Sequence, residues 1–211
     1  DPFVALIALG WISSVIGFYA FALALREISG SEAVALTGAL LFNFSPAMLV
    51  HGSEPMSDPP ALMFLAIALL AATRVWRLPT TSAISAFAAC CAASIGCRPQ
   101  YAVAIVPIFL VLLALRGDAR AKGAGLAVFT GVCLVWFVPL VVATGGLREL
   151  VEWETGQAAY VAAHDAHLSR GTRSWFEIAM RFVAHPWGPK ALAIPTLMLA
   201  AVGGVELVRR R

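Results

Sequence analysis

The sequence predicts an all-α fold: a polytopic membrane helix bundle of about seven spans, with one long outer loop carrying interfacial helices. Three observations lead there. Of the 211 residues, 60% are hydrophobic and 13% charged, against roughly 45–50% apolar content in a soluble domain. The mean hydropathy is +0.84. The apolar residues also fall in long runs separated by polar segments, and the Lys and Arg all lie outside the runs. Although the net charge is +3 and the pI near 8.9, these cations are scattered. They read as topology signals, which argues against a nucleic-acid partner.

The first run, Phe3 to Leu25, holds no charge over about 23 residues, enough to cross about 30 Å of hydrocarbon. It starts almost at Asp1 with no charged leader before it, so the chain is expected to be a piece of a longer protein. Arg26-Glu27 and the turn Ser29-Gly30-Ser31 close it. The second run, Ala33 to Val50, carries Asn43, Ser45 and Pro46 toward its far end, where the helix should break. Irregular backbone at membrane depth survives only when packed in protein or lining a wet cavity. A polar loop follows, His51-Gly52-Ser53-Glu54-Pro55-Met56-Ser57-Asp58-Pro59-Pro60, its prolines opposing helix.

Ala61 to Thr73 is a short run closed by Arg74 and Arg77. Ser82 to Gly96 is rich in Ala and Ser, as in a helix packed tightly among others. Cys97-Arg98-Pro99-Gln100-Tyr101 is a second break, and Ala102 to Leu115 ends at Arg116, Asp118, Arg120 and Lys122. Leu126 to Ala143 and Ala191 to Val208 complete the spans. The expected organisation is a membrane bundle over 1–143, an extracytoplasmic loop over 144–190, and a last span with a basic cytoplasmic end over 191–211. Within the loop, Ser174-Trp175-Phe176-Glu177 is a capping box, and Trp175, Ile178, Ala179 and Phe182 recur at helical spacing. An amphipathic interfacial helix is expected there. Leu147, Leu150, Val151 and Ala158 suggest another. Cys90, Cys91, Cys97 and Cys133 lack metal-ligand spacing and read as buried, inert thiols.

Alternating the spans puts Arg26, Arg74, Arg77, Arg116, Arg120, Lys122 and the terminal arginines on one side. By the positive-inside rule that side is cytoplasmic. The His51–Pro60 loop, the Arg98 break and the long loop then share the outer face.

Candidate chemistry lies in those outer segments. Glu54 and Asp58 can take a proton, bind a divalent cation or accept hydrogen bonds from a sugar. The plainer alternatives are acids facing water and, for Asp58, a helix N-cap. Arg98 can clamp a phosphate, with Gln100 and Tyr101 shaping the site, or it can merely snorkel to headgroups. His164 and His167, at i and i+3, can share a metal, although surface histidines without a role are the commoner case. His51 can join the loop acids or cap the preceding helix.

Asn43-Phe44-Ser45-Pro46, the loop Ser53-Glu54-Pro55-Met56-Ser57-Asp58, the span that follows it, and Arg98-Pro99-Gln100-Tyr101 together resemble the integral-membrane glycosyltransferases of the GT-C superfamily. The likeness is to members similar to protein O-mannosyltransferases and the lipid A aminoarabinose transferase, and it extends from Asp1 to about Leu115. It implies an inverting enzyme of the bacterial inner membrane with its site facing out of the cytoplasm. Such an enzyme takes a sugar from a polyprenyl-phosphate donor to a lipid, glycan or protein acceptor. The resemblance also implies that the main base precedes Asp1. Glu54 and Asp58 would then orient the acceptor or hold Mg or Mn, and Arg98 would contact the donor phosphate. A secondary transporter or flippase, and a non-catalytic scaffold subunit, are the alternatives.

Overall fold

A computed structural model describes residues 1–45, 48, 57–164, 174, 176–177, 180, 187 and 190–209. Among these the chain is all-helical, with eight α-helices and no strand. They are α1 (Pro2–Ser29), α2 (Glu32–Asn43), α3 (Asp58–Arg77), α4 (Thr81–Cys97), α5 (Ala102–Leu115), α6 (Ala119–Ala143), α7 (Leu147–His164) and α8 (Lys190–Arg209). A 3-10 turn, Pro99–Tyr101, joins α4 to α5.

Among the described residues three helices, α1, α3 and α6, are long and apolar enough to cross a membrane. Three other apolar runs form shorter helices. Helices α2, α4 and α5 have 12, 17 and 14 residues, and at 1.5 Å per residue even the longest falls short of the hydrocarbon thickness.

Two compact units are present, 1–44 with 49–140, and 45–48 with 141–211. In the first, packing follows the logic of a membrane bundle. On α1 the buried residues are Gly10, Ser13, Ala20 and Ala24, while Trp11 and Tyr19 are 66% and 64% exposed. Small residues inside and large apolar ones outside reverse the arrangement of a soluble helix, because between lipid-facing helices close backbone approach supplies the attraction. A Cβ on Gly17 would stand 3.3 Å from the Cα of Met63 on α3. The larger core side chains lie farther along, where Phe109 of α5 stacks on Phe129 of α6 at 4.6 Å and meets Phe87 of α4 at 5.8 Å.

Helix ends follow local rules. Asp1 accepts from the Phe3 N–H at 2.9 Å. Gly30, at φ 70°, turns the chain out of α1 while its N–H donates to the Arg26 carbonyl at 2.8 Å, a left-handed cap that glycine adopts without strain. Helix α2 ends at Asn43, where the amide and Pro46 were expected to break it.

In the second unit, Gly145 and Gly146 return N–H bonds to Val142 and Val141 at 3.2 and 2.9 Å, and α7 starts at once. Its Leu150 is buried, whereas Leu147 and Val151 are exposed. The Ser174 capping box forms: Ser174 Oγ accepts from the Glu177 N–H and Glu177 Oε2 from the Ser174 N–H, each at 3.2 Å. Trp175, Ile178, Ala179 and Phe182 lie outside the described residues.

Candidate functional site

Helix directions decide which polar groups meet. Glu27, at the end of α1, accepts from Thr73 Oγ1 at 2.7 Å and pairs with Arg74 at 3.5 Å, so α1 and α3 run parallel. The Ser94 hydroxyl of α4 donates to the Ala61 carbonyl of α3 at 2.9 Å, and both residues are fully buried. That bond fixes α4 antiparallel to α3 and sets the register. One turn after Ser94 comes Arg98, and one turn before Ala61 comes Asp58. The register therefore brings these two together, and the Arg98 guanidinium donates to Asp58 Oδ2.

Both partners are placed by proline. Ser57 is the N-cap of α3 but makes no side-chain cap bond. A cap side chain accepts from the second or third helical N–H. Those positions are Pro59 and Pro60, which have none. Asp58 is consequently the first helical residue, not the cap expected as its plainer role, and its carboxylate is engaged by Arg98. It also sits at the positive end of the α3 dipole. Arg98 precedes Pro99, which disfavours helical backbone, and its φ and ψ of −141° and 91° end α4 at Cys97.

The pair is three-quarters buried, with Arg98 and Asp58 side chains 28% and 21% exposed. The Nε of Arg98 is buried without a hydrogen-bond partner. Next to them Tyr101 is half-buried. Burial first, and the Asp58 carboxylate second, raise its phenol pKa, and Arg98 opposes them. Gln100 is exposed. Trp136 of α6 walls this end, its ring within 2.7 Å of where a Cβ on Gly96 would stand; glycine is what lets the indole approach.

Of the other expected site residues, His51, Glu54 and His167 lie outside the described residues, and His164 is placed only as the last residue of α7. The long loop belongs to the second unit. Among the described residues no three His, Cys, Asp or Glu side chains gather where a metal could bind. All four cysteines are free thiols, Cys91 buried and the others half-buried. Sequence reasoning did not single out Ser94, the register-setting hydroxyl. Its only signal is a polar residue one turn before a break in an Ala-rich helix.

Comparison of the chain with protein-family models, with curated proteins and with solved structures yields no match.

Proposed function

We propose that this chain is part of a membrane glycosyltransferase that moves a sugar from a polyprenyl-phosphate carrier to a lipid, glycan or protein acceptor outside the cytoplasm. The observation that carries the reading is the Asp58–Arg98 contact. It joins, at one end of the bundle, an acid and a cation from two polar breaks that both figure in the likeness to GT-C enzymes.

In the reaction the acceptor oxygen forms its bond to the anomeric carbon as the bond from that carbon to the phosphate oxygen breaks. The bonding pair departs with the polyprenyl phosphate, and the acceptor's proton passes to a carboxylate base. Arg98 is the donor-phosphate ligand. Its guanidinium keeps N–H donors beyond the one engaged by Asp58 that suit phosphate oxygens, and its charge stabilises the leaving group as negative charge develops there. Tyr101 supplies a neutral O–H donor beside it, and Gln100 completes the rim. Asp58 and Glu54 orient the acceptor hydroxyl or hold a divalent cation, Mg or Mn. The first turn of α3 contributes little to anion binding, because Pro59 and Pro60 lack N–H groups.

The test uses the full-length protein in detergent and a polyprenyl-phosphate sugar labelled on the sugar, with Mg or with EDTA. Label should leave the carrier, and Arg98→Gln should slow its release by about 100-fold or more. Label that stays on the carrier across a panel of sugars, while the protein moves a solute across liposomes, would replace transfer with transport.

A further inference from the structure

The opposite end of the first unit has a different electrostatic character. Parallel α1, α3 and α5 all finish there, since Arg116 after α5 lies over the ring of Trp76 near the end of α3, 3.9 Å from its centroid. The turn from α5 into α6 joins them, with Lys122 Nζ donating to the Ala114 carbonyl at 2.8 Å. This end therefore gathers six basic residues, Arg26, Arg74, Arg77, Arg116, Arg120 and Lys122, against three acidic ones, Glu27, Glu32 and Asp118.

The acids are already engaged. Glu27 serves Thr73 and Arg74 through its carboxylate and Arg77 through its carbonyl. Glu32 pairs with Arg26 at 3.6 Å, and Asp118 accepts from the Ala121 N–H at 2.7 Å. The cations are left with donors in excess: Arg74 is 61% exposed, Arg77 and Arg120 are exposed, and the Nε of Arg116 is buried without a partner. Trp76, 52% exposed beneath the Arg116 guanidinium, gives this end an aromatic side chain of the kind that settles at headgroup depth.

We propose that this end is a binding surface for anionic phospholipid headgroups, with Arg74, Arg77 and Arg116 taking phosphate oxygens and Trp76 anchoring at the interface. Charge complementarity selects the occupant, because a surplus of cations faces outward. Position selects the bilayer surface as its source, because α1 and α3, both long enough to cross a membrane, end there. Juxtamembrane clusters of this kind attract acidic lipid. The inference is independent of sugar transfer.

The test is the thermal unfolding midpoint of the purified chain in neutral detergent, titrated with short-chain phosphatidylglycerol, short-chain phosphatidylcholine or glycerol phosphate. Phosphatidylglycerol should raise the midpoint by roughly 5 °C at a hundredfold excess over its dissociation constant, less at high salt. The other two should leave it in place. Arg74→Gln/Arg77→Gln/Arg116→Gln should lose the shift, while the corresponding triple Lys variant keeps most of it. Should the Gln variant not fold, Arg120→Gln/Lys122→Gln decides, with a reduced shift expected. An equal shift with phosphatidylcholine, a shift reproduced by glycerol phosphate, or full retention in the variants would overturn the proposal. Loss of the lipid shift with sugar transfer intact separates its outcome from that of the transfer reading.

Discussion

The two ends of the first unit use the same residue types and put them to opposite ends. At the Asp58–Arg98 end a single acid and a single guanidinium pair with each other inside the bundle, held by the Ser94 register and walled by Trp136. At the Glu27–Arg74 end one carboxylate is shared between two donors, and the remaining cationic capacity faces outward. The difference is one of solvation. A charge withdrawn from water needs a dedicated partner, whereas an exposed arginine is hydrated and gains little from one.

The sharpest way to break that contrast is to neutralise one arginine at each end. Arg98→Gln leaves Asp58 partly buried and unpaired, and should cost about 2 kcal/mol of stability. Arg74→Gln should cost less than about 1 kcal/mol, because its side chain is mostly exposed and Glu27 keeps Thr73. Denaturation of the two variants in detergent measures both. Equal losses would mean that the ends do not differ in solvation.

A smaller effect tests the register. Ser94→Ala removes one interhelical hydrogen bond without touching a charge and should cost roughly 1 kcal/mol. If the register of α4 on α3 is what places Arg98, the variant should also weaken the Asp58–Arg98 coupling in a double-mutant cycle. An unchanged coupling energy would assign the placement to the Pro99 turn alone.

These features differ in how far the sequence reveals them. The all-α class and the apolar helices are legible because composition and run length are local. The Ala and Ser content of Ser82 to Gly96 likewise announced close packing, and Ala88, Ala92 and Ser94 are fully buried. The number of crossing helices was less legible. A run of apolar residues does not declare where its helix stops: among the described residues three helices are long and apolar enough to cross, and α2, α4 and α5 are shorter. The role of Asp58 needed both views. Counting cap positions onto Pro59 and Pro60 already denies a side-chain cap at Ser57, but that the freed carboxylate meets a guanidinium 40 residues away depends on helix pairing, which no local pattern carries. The same holds for Glu27 with Thr73, 46 residues apart.

The smallest expected effect reads the electrostatics of the candidate site directly. Tyr101 is raised above its ordinary value of 10.0 by burial and by Asp58, against the pull of Arg98. For an acid raised on folding, the neutral form is the one the folded state favours. Its contribution to stability is therefore complete below the unfolded value and is lost as pH rises through the folded one. Tyrosinate absorbance should show a component titrating above pH 10 that Tyr101→Phe removes, and that variant should lose less stability on the alkaline side than the parent. Asp58→Asn should move the component to lower pH by deleting the nearby negative charge, and Arg98→Gln should move it higher. Shifts of the same sign in both variants would show that Tyr101 responds to packing, and would leave it no place beside the charge pair in the proposed donor site.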